Sequence, residues 1–155
     1  MKYKKEVLED LLSEIEKIKI LIKSFASLIK EVRERTPNFI ELNALAMFLH
    51  SFYNGLEHIF KMIAKKLDKK LSSGERWHIA LLEQMAKSTK NRKQVIISND
   101  TFESLKEYLG FRHFSRNAYS FDINWDLMKD LIFRIEEVKN NTLEELKTFI
   151  NNINE

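Results

Sequence analysis

From Leu8 to Val32 the apolar residues fall at Leu8, Leu11, Ile15, Ile18, Ile22, Phe25, Ile29 and Val32, in steps that alternate three and four. That spacing holds one seam on one side of a helix through four heptads. Glu, Lys, Asp and Ser fill the gaps, so the other side is wet. The helix ends at Thr36-Pro37, because proline disfavours helix in the residue before it. A second stripe follows the same rule: Leu42, Leu45, Leu49, Phe52, Leu56, Ile59 and Ile63, on a helix expected from about Asn38 to Leu67. Ala44, Ala46 and Gly55 are small enough to let a neighbouring helix come close. Ser72-Ser73-Gly74 closes this segment. Two consecutive heptad helices joined by a short turn predict an antiparallel pair.

The rest of the chain has shorter apolar patterns. Trp77, Ala80, Leu81, Leu82 and Met85 predict a third helix over Glu75–Lys87. Ser88 to Gln94 reads as a polar, basic loop, and Val95-Ile96-Ile97 as an extended strap lying on the bundle. Asp100 followed by Glu103 resembles a capping box. It would start a fourth helix through Phe102, Leu105 and Leu109, ending near Tyr119-Ser120. After a turn at Phe121–Asn124 a fifth helix runs from Trp125 to about Lys139. Asn140-Asn141-Thr142, with Thr142 and Glu145 as another capping box, predicts a break and a short last helix over 142–153. The expected fold is an all-α, antiparallel up-and-down bundle of four to five helices. It forms one unit over 1–155, divided into a long N-terminal helix (1–35), a core bundle (38–139) and a C-terminal helix (142–153).

Composition narrows the function classes. With three glycines and one proline in 155 residues, few turns interrupt the helices. The absence of cysteine excludes disulfides, thiolate metal sites and a cysteine nucleophile, and fits the cytoplasm. No apolar run reaches the about 18 residues of a spanning segment, so no membrane is expected. The formal net charge of +3 permits a polyanionic partner without requiring one.

Chemistry concentrates in Phe111-Arg112-His113-Phe114-Ser115-Arg116-Asn117-Ala118-Tyr119. Helical spacing sets Arg112, Arg116 and Tyr119 close to one face, and His113 with Asn117 one residue round. Two cations, an imidazole and a phenol in register can hold a phosphate and stack on a base. The competing reading is structural: Arg116 bridging to Asp122, and His113 as a half-buried wall residue between Phe111 and Phe114. His50 and His58 are eight apart and Glu57 adjoins His58, which is no metal-ligand spacing, so no metal and no cofactor are expected. Trp77-His78 reads as a packing pair that lines the site. The loop around Lys90–Lys93 and Lys65, Lys66, Lys69 and Lys70 suit either an RNA backbone or plain solvent. Phosphate loops, nucleophile elbows and dinucleotide fingerprints are absent from the sequence.

Three segments in order carry a resemblance: Leu49-His50-Ser51-Phe52-Tyr53-Asn54-Gly55-Leu56-Glu57, Trp77-His78-Ile79-Ala80-Leu81-Leu82-Glu83-Gln84-Met85, and Phe111-Arg112-His113 through Tyr119. Over roughly residues 40–135 the chain resembles the HepT-like branch of the HEPN superfamily. The resemblance implies a helical bundle, usually a homodimer that pairs the functional helices of two subunits. It also implies a metal-independent ribonuclease toxin, neutralised by a minimal nucleotidyltransferase antitoxin encoded nearby. In the family motif an arginine and an adjacent polar residue precede a histidine, with a tyrosine two after it. Arg112 matches the arginine, His113 the polar residue and Tyr119 the tyrosine, whereas Asn117 stands where the histidine would be. Asparagine cannot exchange protons near neutral pH, so one role is unfilled. The resemblance therefore makes Arg112, His113 and Asn117 the catalytic candidates, His113 substituting for the missing base. Arg116 and Tyr119 are the RNA- or phosphate-binding candidates, and Tyr119 is also the hydroxyl that would receive AMP. Two readings stand: a toxin that cleaves RNA, and a catalytically inactive helical module that binds a nucleotidyltransferase or RNA.

Overall fold

The computed structural model describes residues 2–153, with side chains from residue 4; Met1, Asn154 and Glu155 of the expected 1–155 unit lie outside that range. Six α-helices form: α1 (Lys2–Val32), α2 (Phe39–Ile63), α3 (Trp77–Met85), α4 (Asn99–Asn117), α5 (Trp125–Phe133) and α6 (Ile135–Ile153). Among the described residues no strand occurs, only an isolated bridge between Thr89 and Arg92. The all-α class stands. None of the described helices is long and apolar enough to cross a membrane.

The two long seams pair as expected. His58 faces Glu14 at 3.8 Å, a β-carbon on Gly55 would meet Ile18 Cγ1 at 3.0 Å, and the Phe48 and Phe25 rings lie 4.6 Å apart. One partner descends as the other ascends, which is an antiparallel register. At the turn the Asn38 side chain accepts from Glu41 N at 2.9 Å, while the Glu41 carboxylate accepts from Asn38 N at 2.9 Å. Arg35 donates to that carboxylate at 2.7 and 2.8 Å and to Glu31 at 2.7 Å. Hydrogen bonds from Arg35 and the Asn38 backbone hold the Glu41 carboxyl down at about 2.

Helix α2 is the central element, packed by α1, α3, α4 and α5. Its buried stripe includes Leu45, Leu49, Phe52, Leu56, Ile59 and Ile63. The helix then widens into a π-helical turn over Ala64–Asp68 and stops at Lys69, whose φ of 57° is left-handed. That turn buries Asp68 against Arg92, with Arg92 Nε and Nη2 donating to its carboxylate at 2.7 and 2.9 Å. Arg92 is thus sealed inside the 88–94 loop and is not part of a basic RNA surface. The strap behaves as expected: Ile96 and Ile97 are buried, and both of their N–H groups donate to the Met85 carbonyl, at 2.8 and 3.2 Å.

Three boundaries differ from the sequence expectation. Helix α4 is capped by Ser98, whose hydroxyl accepts from Thr101 N at 3.2 Å, two residues before Asp100. The expected fifth helix breaks at Arg134 rather than at 140–142. Arg33, just past the end of α1, donates to the Phe133 carbonyl at 2.8 Å and lies over the Phe133 ring, at the point where the helix breaks. Helix α6 then runs unbroken through Asn140-Asn141-Thr142, so there is no separate 142–153 helix. Thr142 is buried and its hydroxyl donates to the Val138 carbonyl at 2.7 Å, a bond that suits mid-helix threonine. Glu145 caps a different helix: its carboxylate accepts from Ser98 N at 2.6 Å and from the Thr101 hydroxyl. The break is displaced rather than added: the sequence predicts six helical segments along the chain and six form among the described residues, against the four to five expected for the bundle.

Candidate functional site

Helix α2 carries a polar stripe opposite its seam: His50, Asn54, Glu57 and Lys61, spaced four, three and four. That period keeps all four on one face of the helix. Helix α4 lies across this face, with the Tyr108 ring edge-on to Phe52 and the Tyr108 hydroxyl donating to the Leu131 carbonyl at 2.6 Å. The crossing drops Arg112 onto the stripe. The short α3 brings Trp77 and His78 in from the side.

Arg112 is almost completely buried, with 4% of its side chain exposed. Its Nη1 donates to Asn54 Oδ1 at 2.7 Å and to Glu57 Oε1 at 3.0 Å, and its Nη2 donates to Glu57 Oε2 at 2.9 Å. Below it the Tyr53 ring centroid is 4.8 Å from Cζ. A planar fork on a carboxylate, backed by an aromatic face, suits guanidinium better than ammonium. Burial pushes the Glu57 carboxyl up, but the hydrogen bonds from Arg112 and His78 outweigh it and the net displacement is downward. Burial foremost, with Glu57 nearby, pushes the Tyr53 hydroxyl up.

His78 Nδ1 lies 2.8 Å from Glu57 Oε2 and 2.8 Å from Arg112 Nη2. In the protonated ring Nδ1–H donates to Glu57 Oε2; in the neutral ring the same nitrogen can accept from the second N–H of Nη2. Since Nδ1 is turned inward, the exposed part of the half-buried ring is its Nε2 edge. Trp77 stacks beside it with ring centroids 3.6 Å apart, and Lys61 Nζ sits 4.3 Å from the Trp77 centroid.

These side chains enclose a cleft of about 350 Å³, lined by His50, Asn54, Glu57, Lys61, Trp77, His78, Arg112 and Arg116. Three permanent cations face one carboxylate, so the cleft favours an anion. Arg116 is exposed at the rim, one turn beyond Arg112, and makes no ion pair with Asp122 or any other acid among the described residues. His50 is half-buried, and desolvation foremost, then Arg112 and Arg116, lowers its pKa. No hydrogen bond occupies its ring among the described residues. Nor do three His, Asp or Glu side chains gather there to hold a metal ion.

The sequence-derived residues divide. Arg112 and Arg116 meet at the cleft. His113 is exposed on α4 and lines an adjoining hollow with Glu75 and Arg76, a hollow that shares His78, Arg112 and Arg116 with the cleft. It does not reach the Glu57 network. The Asn117 amide donates back to the His113 carbonyl at 3.1 Å, closing the end of its own helix. Tyr119 lies past that end, 71% exposed and stacked flat on Phe121 with centroids 5.2 Å apart. Glu57, Asn54 and His50 were missed as a group. Their signal is the polar stripe itself, at spacings of four, three and four, which neither the apolar period of α2 nor a metal-ligand spacing picks out.

A family model described as HepT-like protein matches residues 44–153, more than two-thirds of the chain and every residue of the cleft. No curated protein and no solved structure matches.

Proposed function

Since the chain belongs to the HepT-like family, we propose that it is the toxin of a toxin–antitoxin pair, a metal-independent endoribonuclease that works as a homodimer in the cytoplasm. A minimal nucleotidyltransferase is its antitoxin partner. The observation that supports this most is the cleft itself. It is anion-favouring, of a volume at the lower end for ligand sites, and it combines two imidazoles with three permanent cations. A phosphodiester needs this combination: charge to hold it and groups able to move protons. Arg116, exposed and unpaired at the rim, is the residue to meet the phosphate. Arg112 has its Nη donors taken by Glu57 and Asn54, with His78 beside them, so it positions that network while adding charge from below. Tyr119 has its side chain in the open, where a partner enzyme could transfer AMP to the hydroxyl. The added negative charge, three residues along the chain from Arg116, would then compete with RNA.

One observation favours the second reading, an inactive module that binds a partner or RNA: the motif's histidine position holds Asn117, whose amide is engaged with its own helix. Induced expression in a bacterial host separates the two. The toxin reading expects growth arrest by the wild type, relief by Arg116→Ala, and relief by the co-expressed nucleotidyltransferase. That last relief should come with an AMP-sized mass increase on Tyr119 and fail for Tyr119→Phe. Unchanged growth with a stable, unmodified complex would establish the module instead.

A further inference from the structure

Building on the ribonuclease reading, we propose that the acid–base pair of this protein is His50 on α2 and His78 on α3, two histidines of one subunit that face the same cleft. They replace the proton chemistry that Asn117 cannot perform, and His113 is not required.

Four observations converge. Both rings line the cleft together with Arg112 and Arg116. His50 stands one helical turn before Asn54, which holds Arg112, and Glu57 two turns on holds both Arg112 and His78, so α2 carries one imidazole and anchors the other. The ring of His50 is free of hydrogen bonds among the described residues, as a proton acceptor requires. His78 presents Nε2 outward because Nδ1 is donated to a buried carboxylate, an arrangement that orients an imidazole and balances the charge of its protonated form. The surroundings of His50 agree with its role: Arg112 and Arg116 from α4 bear on it, and Lys61 and Glu57 from its own helix and His78 from α3 line the same cleft. Desolvation, reinforced by those two arginines, lowers its pKa and so favours the neutral ring.

The step balances without a metal or an added nucleophile. His50 takes the proton from a ribose 2′-hydroxyl. That oxygen bonds to the adjacent phosphorus, and the P–O5′ bond breaks. His78 enters the step doubly protonated, with Nδ1–H donated to Glu57, and gives its Nε2 proton to the departing O5′, ending as the neutral imidazole. The products are a 2′,3′-cyclic phosphate and a 5′-hydroxyl, and solvent returns the two histidines to their starting protonation. Arg116, with Arg112 behind it, faces the charge that builds on the phosphorane oxygens.

The test uses the full-length protein, an end-labelled single-stranded RNA and EDTA, with His50→Gln, His78→Gln, His113→Ala and His58→Gln compared with wild type. His58 lies outside the cleft, facing Glu14 on α1, and serves as the control. The proposal expects kcat to fall about 10²–10⁴-fold for His50→Gln and His78→Gln, with KM nearly unchanged. His58→Gln and His113→Ala should stay within threefold. The pH profile should lose its rising limb in His50→Gln and its falling limb in His78→Gln. Since His78→Gln disturbs the Glu57 network and can misfold, His50→Gln, half-exposed and unbonded, decides the question by itself. Full activity in His50→Gln, or loss in His113→Ala alone, overturns the pair while leaving the ribonuclease reading intact. No cleavage by folded wild type overturns both.

Discussion

Replacing Glu57 by leucine should lower stability by about 3–5 kcal/mol, the cost of leaving a buried charge without its partner. The wild-type carboxylate accepts from Arg112 at 3.0 and 2.9 Å and from His78 at 2.8 Å, in a pair whose side chains are 4% and 8% exposed. Once it is gone, the guanidinium keeps Asn54 Oδ1, a neutral His78 Nδ1 and the Tyr53 face, but no counter-charge. A cation–π contact contributes about 0.5–2 kcal/mol and cannot replace a bidentate carboxylate. For a chain of this length each kcal/mol moves the melting temperature by about 2–4 °C, so the midpoint should fall by about 6–20 °C. Thermal melts followed by circular dichroism at pH 7 would measure it. The sharper check is the double variant Arg112→Met with Glu57→Leu. It buries no unpaired charge, so it should melt above either single variant. A Glu57→Leu midpoint within about 2 °C of wild type, or additive losses in the double variant, would refute the claim that this pair is buried and interdependent.

Three further outcomes follow from the same structure. Glu57 and Glu41 both have depressed folded pKa values, so their stabilisation is complete above the unfolded carboxyl pKa and lost as pH falls through the folded value, near 2 for Glu41. Melts between pH 7 and pH 2 should show a shallower acid limb for Glu41→Gln, and identical limbs would count against it. Gly55→Leu should cost about 1–3 kcal/mol of overpacking, since its first added carbon already meets Ile18 Cγ1 at 3.0 Å. Chemical denaturation should find the loss reduced when Ile18→Ala makes room, and an unchanged midpoint for Gly55→Leu would mean that the hairpin is looser than described. Arg116→Ala should leave the melting temperature unchanged yet weaken binding to single-stranded RNA, lowering the slope of log affinity against log salt by about one. Anisotropy titrations over a salt series would read this, and an unaltered slope would remove Arg116 from the phosphate contact.

Local rules revealed the hairpin, because the α1 and α2 seams are long and each buries one face against the other. Where the reading failed, a long-range partner had overruled a local signal. Thr142 and Glu145 have capping-box spacing, but the Thr142 hydroxyl is satisfied by Val138 within its own helix. Glu145 is drawn instead to Ser98, 47 residues away. The break at Arg134 has no proline or glycine to announce it; its one distinguishing contact, Arg33 on the Phe133 carbonyl, comes from 100 residues away. The site shows the same division. Local spacing was enough to set Arg112 and Arg116 on one face, and that much was legible. Adjacent residues on a helix diverge by about 100°, so once Arg112 turns inward His113 must turn away. Glu57 and His78 come from two other helices, and only packing could join them to Arg112.

The central claim is that this cleft cleaves RNA by internal transesterification, and the ends of the products test it most directly. Purified wild-type protein would be incubated with single-stranded RNA in EDTA and the fragments weighed by mass spectrometry. The account predicts fragments ending in 2′,3′-cyclic phosphate, matched by fragments beginning with a 5′-hydroxyl. Intact RNA, or fragments that carry 3′-hydroxyl ends, would contradict it.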